Sequence, residues 1–129
     1  MWQFWEYLDG RGNREFSQWR LGLPVSERAL LDEKMRAIER MGLNVSCLKG
    51  PLRGYRHLYK IRVQGRNVAL RPLLCRGPQN KDTEFTLLKP MTEVGRRDQP
   101  PSAKPEAEAR RLEVERNPTR RARYEVPSP

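Results

Sequence analysis

The chain has 129 residues, with 26 Lys and Arg against 16 Asp and Glu and a formal net charge of +10. That length holds one domain and excludes a second full one, and a positive balance of this size attracts polyanions, so RNA or DNA is the expected large partner. No apolar run approaches the roughly 20 residues of a membrane helix, and the opening Met1-Trp2-Gln3-Phe4-Trp5-Glu6 has neither a basic leader nor a long apolar stretch, so neither export nor a membrane partner is expected and a cytoplasmic location is.

Residues 1–7 alternate, with Trp2 and Phe4 on one face and Gln3, Trp5 and Tyr7 on the other, the period of a strand. After the turn residues Asp9-Gly10-Arg11-Gly12, Asn13 is positioned to cap a short helix with Phe16, Trp19 and Leu23 on one stripe, ended by Leu23-Pro24. Ser26 then reads as the N-cap of a second helix on which Leu31, Met35, Ile38 and Met41 recur at spacings of three and four, with Gly42 as its stop. The two helices predict an antiparallel pair laid on one face of a sheet. Three runs rich in β-branched, aromatic and leucine residues, 55–63, 67–75 and 83–91, supply that sheet. Gln64-Gly65-Arg66 predicts a tight hairpin between the first two, with Gly65 at positive φ. The fold class expected is therefore α+β, with a small antiparallel or mixed sheet, two N-terminal helices on one face and a C-terminal helix. Residues 1–94 read as the core. In the proline-rich segment 95–129, one helix is expected at about 103–117, with Pro105, Ala109, Leu112 and Arg116 on one face. Its few large apolar side chains predict weak docking or ordering against a partner, and the tail from Arg120 a flexible end.

Cys47 and Cys75 sit in apolar contexts without zinc-site spacing and read as reduced core thiols. No phosphate-cradling loop, nucleophile elbow or metal-ligand cluster is present. No metal and no cofactor are expected, and a metal-independent mechanism is the only catalytic one the sequence supports.

The charge is segregated. From Glu39 to Asp82 there is no acidic residue, but Arg40, Lys49, Arg53, Arg56, Lys60, Arg62, Arg66, Arg71, Arg76 and Lys81 are basic. Of these, Lys49, Arg53, Arg56, Lys60, Arg66, Arg76 and Lys81 are the candidate RNA contacts. A period of two through 59–63 puts Tyr59, Ile61 and Val63 on the helix-covered face and Lys60 and Arg62 on the other. Arg71 stands in the apolar run Val68-Ala69-Leu70-Arg71-Pro72-Leu73-Leu74, where a charge costs free energy unless an anion meets it. With Lys89 ending the third run, Arg62, Arg71 and Lys89 can converge on one face as a phosphate site. The alternative is that the arginines pair with Glu84 or Glu93 and hold the sheet together. His57, the only histidine, is the one side chain whose unperturbed pKa lies near neutrality.

The order strand, two helices, Lys49-x-Pro51-Leu52-x-Gly54-x-x-x-Leu58-Tyr59-Lys60-Ile61-Arg62-Val63, Ala69-Leu70-Arg71-Pro72-Leu73-Leu74, Phe85-Thr86-Leu87-Leu88-Lys89 and Ala107-x-Ala109-Arg110-Arg111-Leu112 resembles the RelE/ParE toxin superfamily, in particular its phage-derived HigB-like branch. The resemblance implies a RelE-like fold and the toxin of a type II toxin–antitoxin system, an endoribonuclease (mRNA interferase) that cuts mRNA, usually at the ribosome, and is held inactive by a cognate antitoxin protein. It implies that Arg62 and Arg71 stabilise charge while the substrate's own 2′-hydroxyl attacks the adjacent phosphate, with Lys89 supporting the phosphate or leaving group. Lys60 stands where the family often has glutamate and Lys89 where histidine is common, which leaves the base open among His57, Lys60, Lys89 and Tyr124. Inhibition of DNA gyrase in the manner of ParE, and nucleic-acid binding without catalysis, remain the competing expectations.

Overall fold

The computed structural model describes all 129 residues. The elements in chain order are β1 (Gln3–Tyr7), α1 (Glu15–Leu21), α2 (Val25–Met41), β2 (Leu48–Lys49), β3 (Tyr59–Ile61), β4 (Val63–Gln64), β5 (Ala69–Leu70), β6 (Leu73–Arg76), β7 (Glu84–Lys89), β8 (Thr92–Val94), β9 (Arg97–Gln99), α3 (Ala103–Arg116) and β10 (Arg121–Tyr124). The main sheet runs β10-β1-β7-β6-β3-β2, and a smaller one runs β4-β5-β8-β9. The pair β1 and β7 is parallel and the other pairs are antiparallel, so the class is α+β with a mixed sheet.

Apolar side chains divide the molecule into layers. One face of the main sheet joins Phe16 of α1 and Leu31, Met35 and Ile38 of α2 to Phe4, Ile61, Leu74, Phe85 and Leu87. The other face joins Tyr7, Leu58, Leu73, Cys75 and Leu88 to Ala103, Ala107 and Val114 of α3. The expected antiparallel helix pair therefore covers one face, but the C-terminal helix covers the other. It docks through small residues at spacings of four and seven, which let its backbone approach the sheet closely. The face expected to dock points the other way: Pro105, Ala109, Leu112 and Arg116 are exposed. The tail also differs from expectation, because Arg121–Tyr124 is the strand β10 paired along β1, with Val126 packed on the core.

Three corrections concern local signals. Asn13 caps no helix; its backbone and side-chain N–H groups donate to the Asp9 carboxylate at 2.8 and 3.0 Å, closing the preceding turn. Helix α2 begins at Val25 with Pro24 as its N-cap, two residues before a Ser26 cap would allow, and the Ser26 hydroxyl donates to Glu27 instead. Gly65 does not adopt a positive φ. What requires glycine there is space, since a Cβ would lie 2.8 Å from the Val68 carbonyl oxygen and 2.9 Å from Cγ of Glu27 on α2. At the end of α2, Gly42 at φ +62° is the stop that the sequence predicts.

The feature that sets up the site is a crease. Each of the three long runs is interrupted: 59–64 at Arg62, 69–76 at Arg71-Pro72 and 84–94 at Pro90-Met91. Pro72 and Pro90 carry no N–H and cannot continue a ladder. The strands bend there from the main sheet into the small one, held by Ile61 N–H to the Pro72 carbonyl at 3.0 Å and Arg71 N–H to the Met91 carbonyl at 2.7 Å.

Two buried protons make the fold sensitive to alkali. Burial pushes the Cys75 thiol up to about 12 from an ordinary 9.0, and burial likewise pushes the Tyr124 phenol up to about 12 from 10.0. A folded-state pKa raised above the unfolded one means that the unfolded chain loses its protons first, so stability is complete below pH 9 and falls as pH rises from about 9 to 12. The urea midpoint is expected to drop across that window, and a Cys75→Ala/Tyr124→Phe variant is expected to flatten the drop.

Candidate nucleic-acid interface

Of the expected catalytic residues, Arg62 and Arg71 meet. Arg62 and Arg71 line one cleft of about 280 Å³ together with Lys34, Ser46, Cys47 and Gln64. The crease aims both arginines at it. Arg62 interrupts its strand with its backbone N–H on the Cys47 carbonyl at 2.7 Å, and its side chain is exposed with no carboxylate oxygen within 4.0 Å. Lys34, from α2, also lacks a carboxylate partner.

Arg71 is differently placed. It is 6% exposed, and one terminal nitrogen donates to the carbonyls of Val63 and Leu70, cross-strand partners in β4 and β5, at 3.1 and 2.8 Å. Its Nε lies 3.7 Å from Glu93, which also holds Lys60 at 3.1 Å. Burial lowers the pKa of Arg71, Glu93 opposes this, and the neighbouring charge of Arg62 lowers it further. An arginine keeps its proton through such a shift. Arg71 thus brings a permanent charge to the cleft floor while tying the crease together, and its approach to Glu93 is the structural pairing that the sequence allowed as the alternative. Arg62 takes neither Glu84 nor Glu93; Glu84 is the partner of Arg121 at 3.1 Å.

Lys89 and His57 do not join them. The Lys89 ammonium lies 3.2 Å from Glu15 and 3.5 Å from Glu106, in a separate cleft with Trp19, Met91 and Gln99. Arg110 reaches the same Glu15 at 3.1 Å, so this cluster fastens α1 to α3. Burial alone would raise the Glu15 carboxyl, but the Arg110 hydrogen bond and the charges of Arg110 and Lys89 outweigh it and hold the group below the usual carboxylate range. His57 lies on the α3 side, in a cleft with Tyr55, Arg56, Glu108 and Arg111. Lys89 therefore does not share the cleft of Arg62 and Arg71 as expected, and the third cation lining that cleft is Lys34. Lys34 was hidden in the sequence because on a helix of mixed charge nothing distinguishes it from Lys or Arg that merely solvate.

Among the expected RNA contacts, Lys49, Arg53, Arg56, Arg66 and Lys81 are exposed. Lys60 is taken by Glu93, and Arg76 by Asp82 at 3.0 Å and the Lys81 carbonyl at 2.8 Å. The ion pairs redraw the basic surface. From Arg28 to Arg66 every Lys and Arg except Lys60 lacks a carboxylate oxygen within 4.0 Å, whereas from Arg71 to Arg123 only Lys81, Arg96, Arg97 and Arg116 do. The unneutralised charge thus belongs to α2, β2 to β4 and their loops, the stretch that also supplies Lys34 and Arg62. A second cleft of about 330 Å³ adjoins it, sharing Gln64 and Arg71 and adding Arg66, Asn67 and Glu93. A groove with fixed cations and few acids can hold successive phosphates of a strand.

No group of three or more His, Cys, Asp or Glu side chains could hold a metal ion, and no helix is long and apolar enough to cross a membrane. Fold and site together define a small α+β protein with a cationic cleft set into a creased sheet. No family model matches the chain, and no curated protein or solved structure matches it.

Proposed function

We propose that this chain is the toxin of a type II toxin–antitoxin pair, an endoribonuclease of the RelE and HigB kind that cuts messenger RNA without a metal or cofactor. The observation that carries the reading is the meeting of Lys34 and Arg62, both without carboxylate partners, over the buried guanidinium of Arg71. Three positive groups around one cavity suit a phosphate that gains negative charge. The 2′-hydroxyl oxygen of the RNA gives up its proton to solvent water and forms a bond to the adjacent phosphorus while the bond from phosphorus to the 5′-oxygen breaks. Arg62 donates to the non-bridging oxygens, Arg71 adds a fixed charge, and the Lys34 ammonium can protonate the departing oxygen. Such an enzyme needs to align its substrate more than to supply a nucleophile. A cognate antitoxin would silence it by covering the same cationic surface.

A second reading, RNA binding without turnover, is favoured by one specific observation: His57 and Lys89 face other clefts, and Glu93, the only carboxylate lining the two adjoining clefts, is tied to Lys60 and Arg71. Controlled induction in a host without antitoxin separates the two. Growth arrest with new messenger ends, both lost in Arg62→Ala, is expected. Arrest with DNA damage and intact transcripts would transfer the target to DNA gyrase, and normal growth with soluble, folded protein would leave binding alone.

A further inference from the structure

His57 and Arg56 belong to a second cleft of about 440 Å³ on the α3 side, away from Lys34 and Arg62, with Leu52, Tyr55, Glu108 and Arg111 as its other functional walls. Its outer wall is a stiff loop. Tyr55 N–H donates to the Leu52 carbonyl at 3.0 Å, Leu58 N–H to the Tyr55 carbonyl at 2.9 Å and Leu52 N–H to the Leu58 carbonyl at 2.9 Å. Gly54, at the third position of the first turn, has φ +80°, which favours glycine there. Leu52 and Tyr55 are packed on the core beneath α3, so one rim is apolar and aromatic. The other half is polar. Arg56 and His57 are the central residues of the second turn, their backbone N–H groups have no acceptor within the protein, and neither side chain has a carboxylate within 4.0 Å. Opposite them Arg111 grips both oxygens of Glu108 at 2.7 Å and reaches Glu115 at 3.1 Å. The Arg111 hydrogen bond is the main reason that the Glu108 carboxyl titrates below its usual range, and the charges of Arg111, His57 and Arg56 assist. Glu108 is thereby a fixed, ionised acceptor in the cleft.

We propose that this cleft binds a nucleotide unit, a nucleobase bearing a phosphate, with the phosphate held by Arg56, His57 and the two unused N–H groups, and the base laid against Tyr55 and Leu52. Glu108 then accepts from an exocyclic amine, which favours adenine, cytosine or guanine over uracil. The volume lies within the range of small-molecule sites. A guanidinium, an imidazole and paired turn N–H groups form an anion site, and an aromatic rim beside it suits a base. The site is independent of the endoribonuclease reading, since it uses none of Lys34, Arg62 or Arg71.

The test is an NMR titration of the full-length, isotope-labelled chain with 5′-AMP, adenosine, inorganic phosphate and a 5′-phosphorylated RNA trinucleotide. Saturable shifts confined to residues 52–58 and 108–111 are expected with 5′-AMP, and weaker ones with adenosine or phosphate alone. Arg56→Ala and His57→Ala, both on the surface, should each weaken 5′-AMP binding about tenfold, the scale of one lost charge-assisted hydrogen bond, while Arg62→Ala leaves it unchanged. Tighter binding of the trinucleotide would identify the ligand as an RNA end, and tighter binding of 5′-AMP as a free nucleotide. Absence of these shifts up to about 10 mM, a concentration that would reveal even millimolar affinity, would overturn the proposal. So would equal loss of binding in Arg62→Ala.

Discussion

Replacing Lys34 and Arg62 together by alanine is expected to weaken binding to single-stranded RNA by about a hundredfold or more at low salt, with the melting temperature unchanged. Each cation that loses a charge-assisted hydrogen bond to phosphate forfeits about 1.5–3 kcal/mol, and tenfold in affinity is about 1.4 kcal/mol. Neither side chain has an ion pair to lose, so the fold has no reason to respond. The salt dependence is the sharper readout. For single strands each neutralised phosphate adds about 0.7 to the slope of log affinity against log salt, so the double variant should lower that slope by about 1.4. Anisotropy titrations at several salt concentrations measure it, and an unchanged slope would remove the cleft from the RNA path. Arg71→Ala is a poor substitute for this test. It removes the hydrogen bonds that the guanidinium gives the Val63 and Leu70 carbonyls inside the crease, so it lowers stability along with affinity.

Phe85→Ala is expected to cost about 3–5 kcal/mol of unfolding free energy, the range for deleting a buried aromatic side chain. Phe85 is fully buried on β7, stacked on Trp2 with ring centroids 4.4 Å apart and tilted against Phe4 at 5.9 Å. Its strand lies between β1 and β6, so the cavity would open beneath three strands at once. Urea unfolding followed by tryptophan fluorescence measures the loss. A change below about 1 kcal/mol would mean that Trp2 collapses into the space, as sites able to relax do. A loss within the expected range is a large fraction of the total for a domain of this size.

The legible parts of this molecule were those in which one residue's chemistry decides its surroundings. Alternation through Tyr59, Ile61 and Val63 located the helix-covered face, and Leu31, Met35 and Ile38 located the inner face of α2. Gly42 ended the helix as its φ requires. The crease was not legible, because Pro72 and Pro90 interrupt ladders only in combination with neighbouring strands that bend at the same level. The docking face of α3 was misread because it is built from alanines, Val114 and a buried Arg111, a pattern without hydrophobic contrast. The strand β10 hid behind its charges: Arg121 is 7% exposed, lies 4.0 Å over the Trp5 ring and donates to Thr86 and Glu84, so an arginine that suggests a solvated tail is an internal fixture. At the site, Arg62 and Arg71 were recognisable from strand position. That Lys89 and His57 leave them depends on Glu15, Glu106 and the turn at Tyr55–Leu58, contacts distant in sequence.

The parallel pairing of β1 with β7, flanked by β10, bears on how the protein is made. Phe4 takes Phe85 and Tyr124 as its cross-strand partners, so during translation β1 leaves the ribosome long before either neighbour exists. A segment carrying Trp2, Phe4, Trp5 and Tyr7 must wait in the nascent chain without its sheet, bearing the loop-closure cost that slows long-range pairing. For that interval it offers an apolar strand to chaperones or to other chains. The cationic cleft cannot take its final form before β7 arrives, because the carbonyl that anchors Arg71 belongs to Met91, just beyond that strand. An activity housed at the crease would thus switch on late in synthesis.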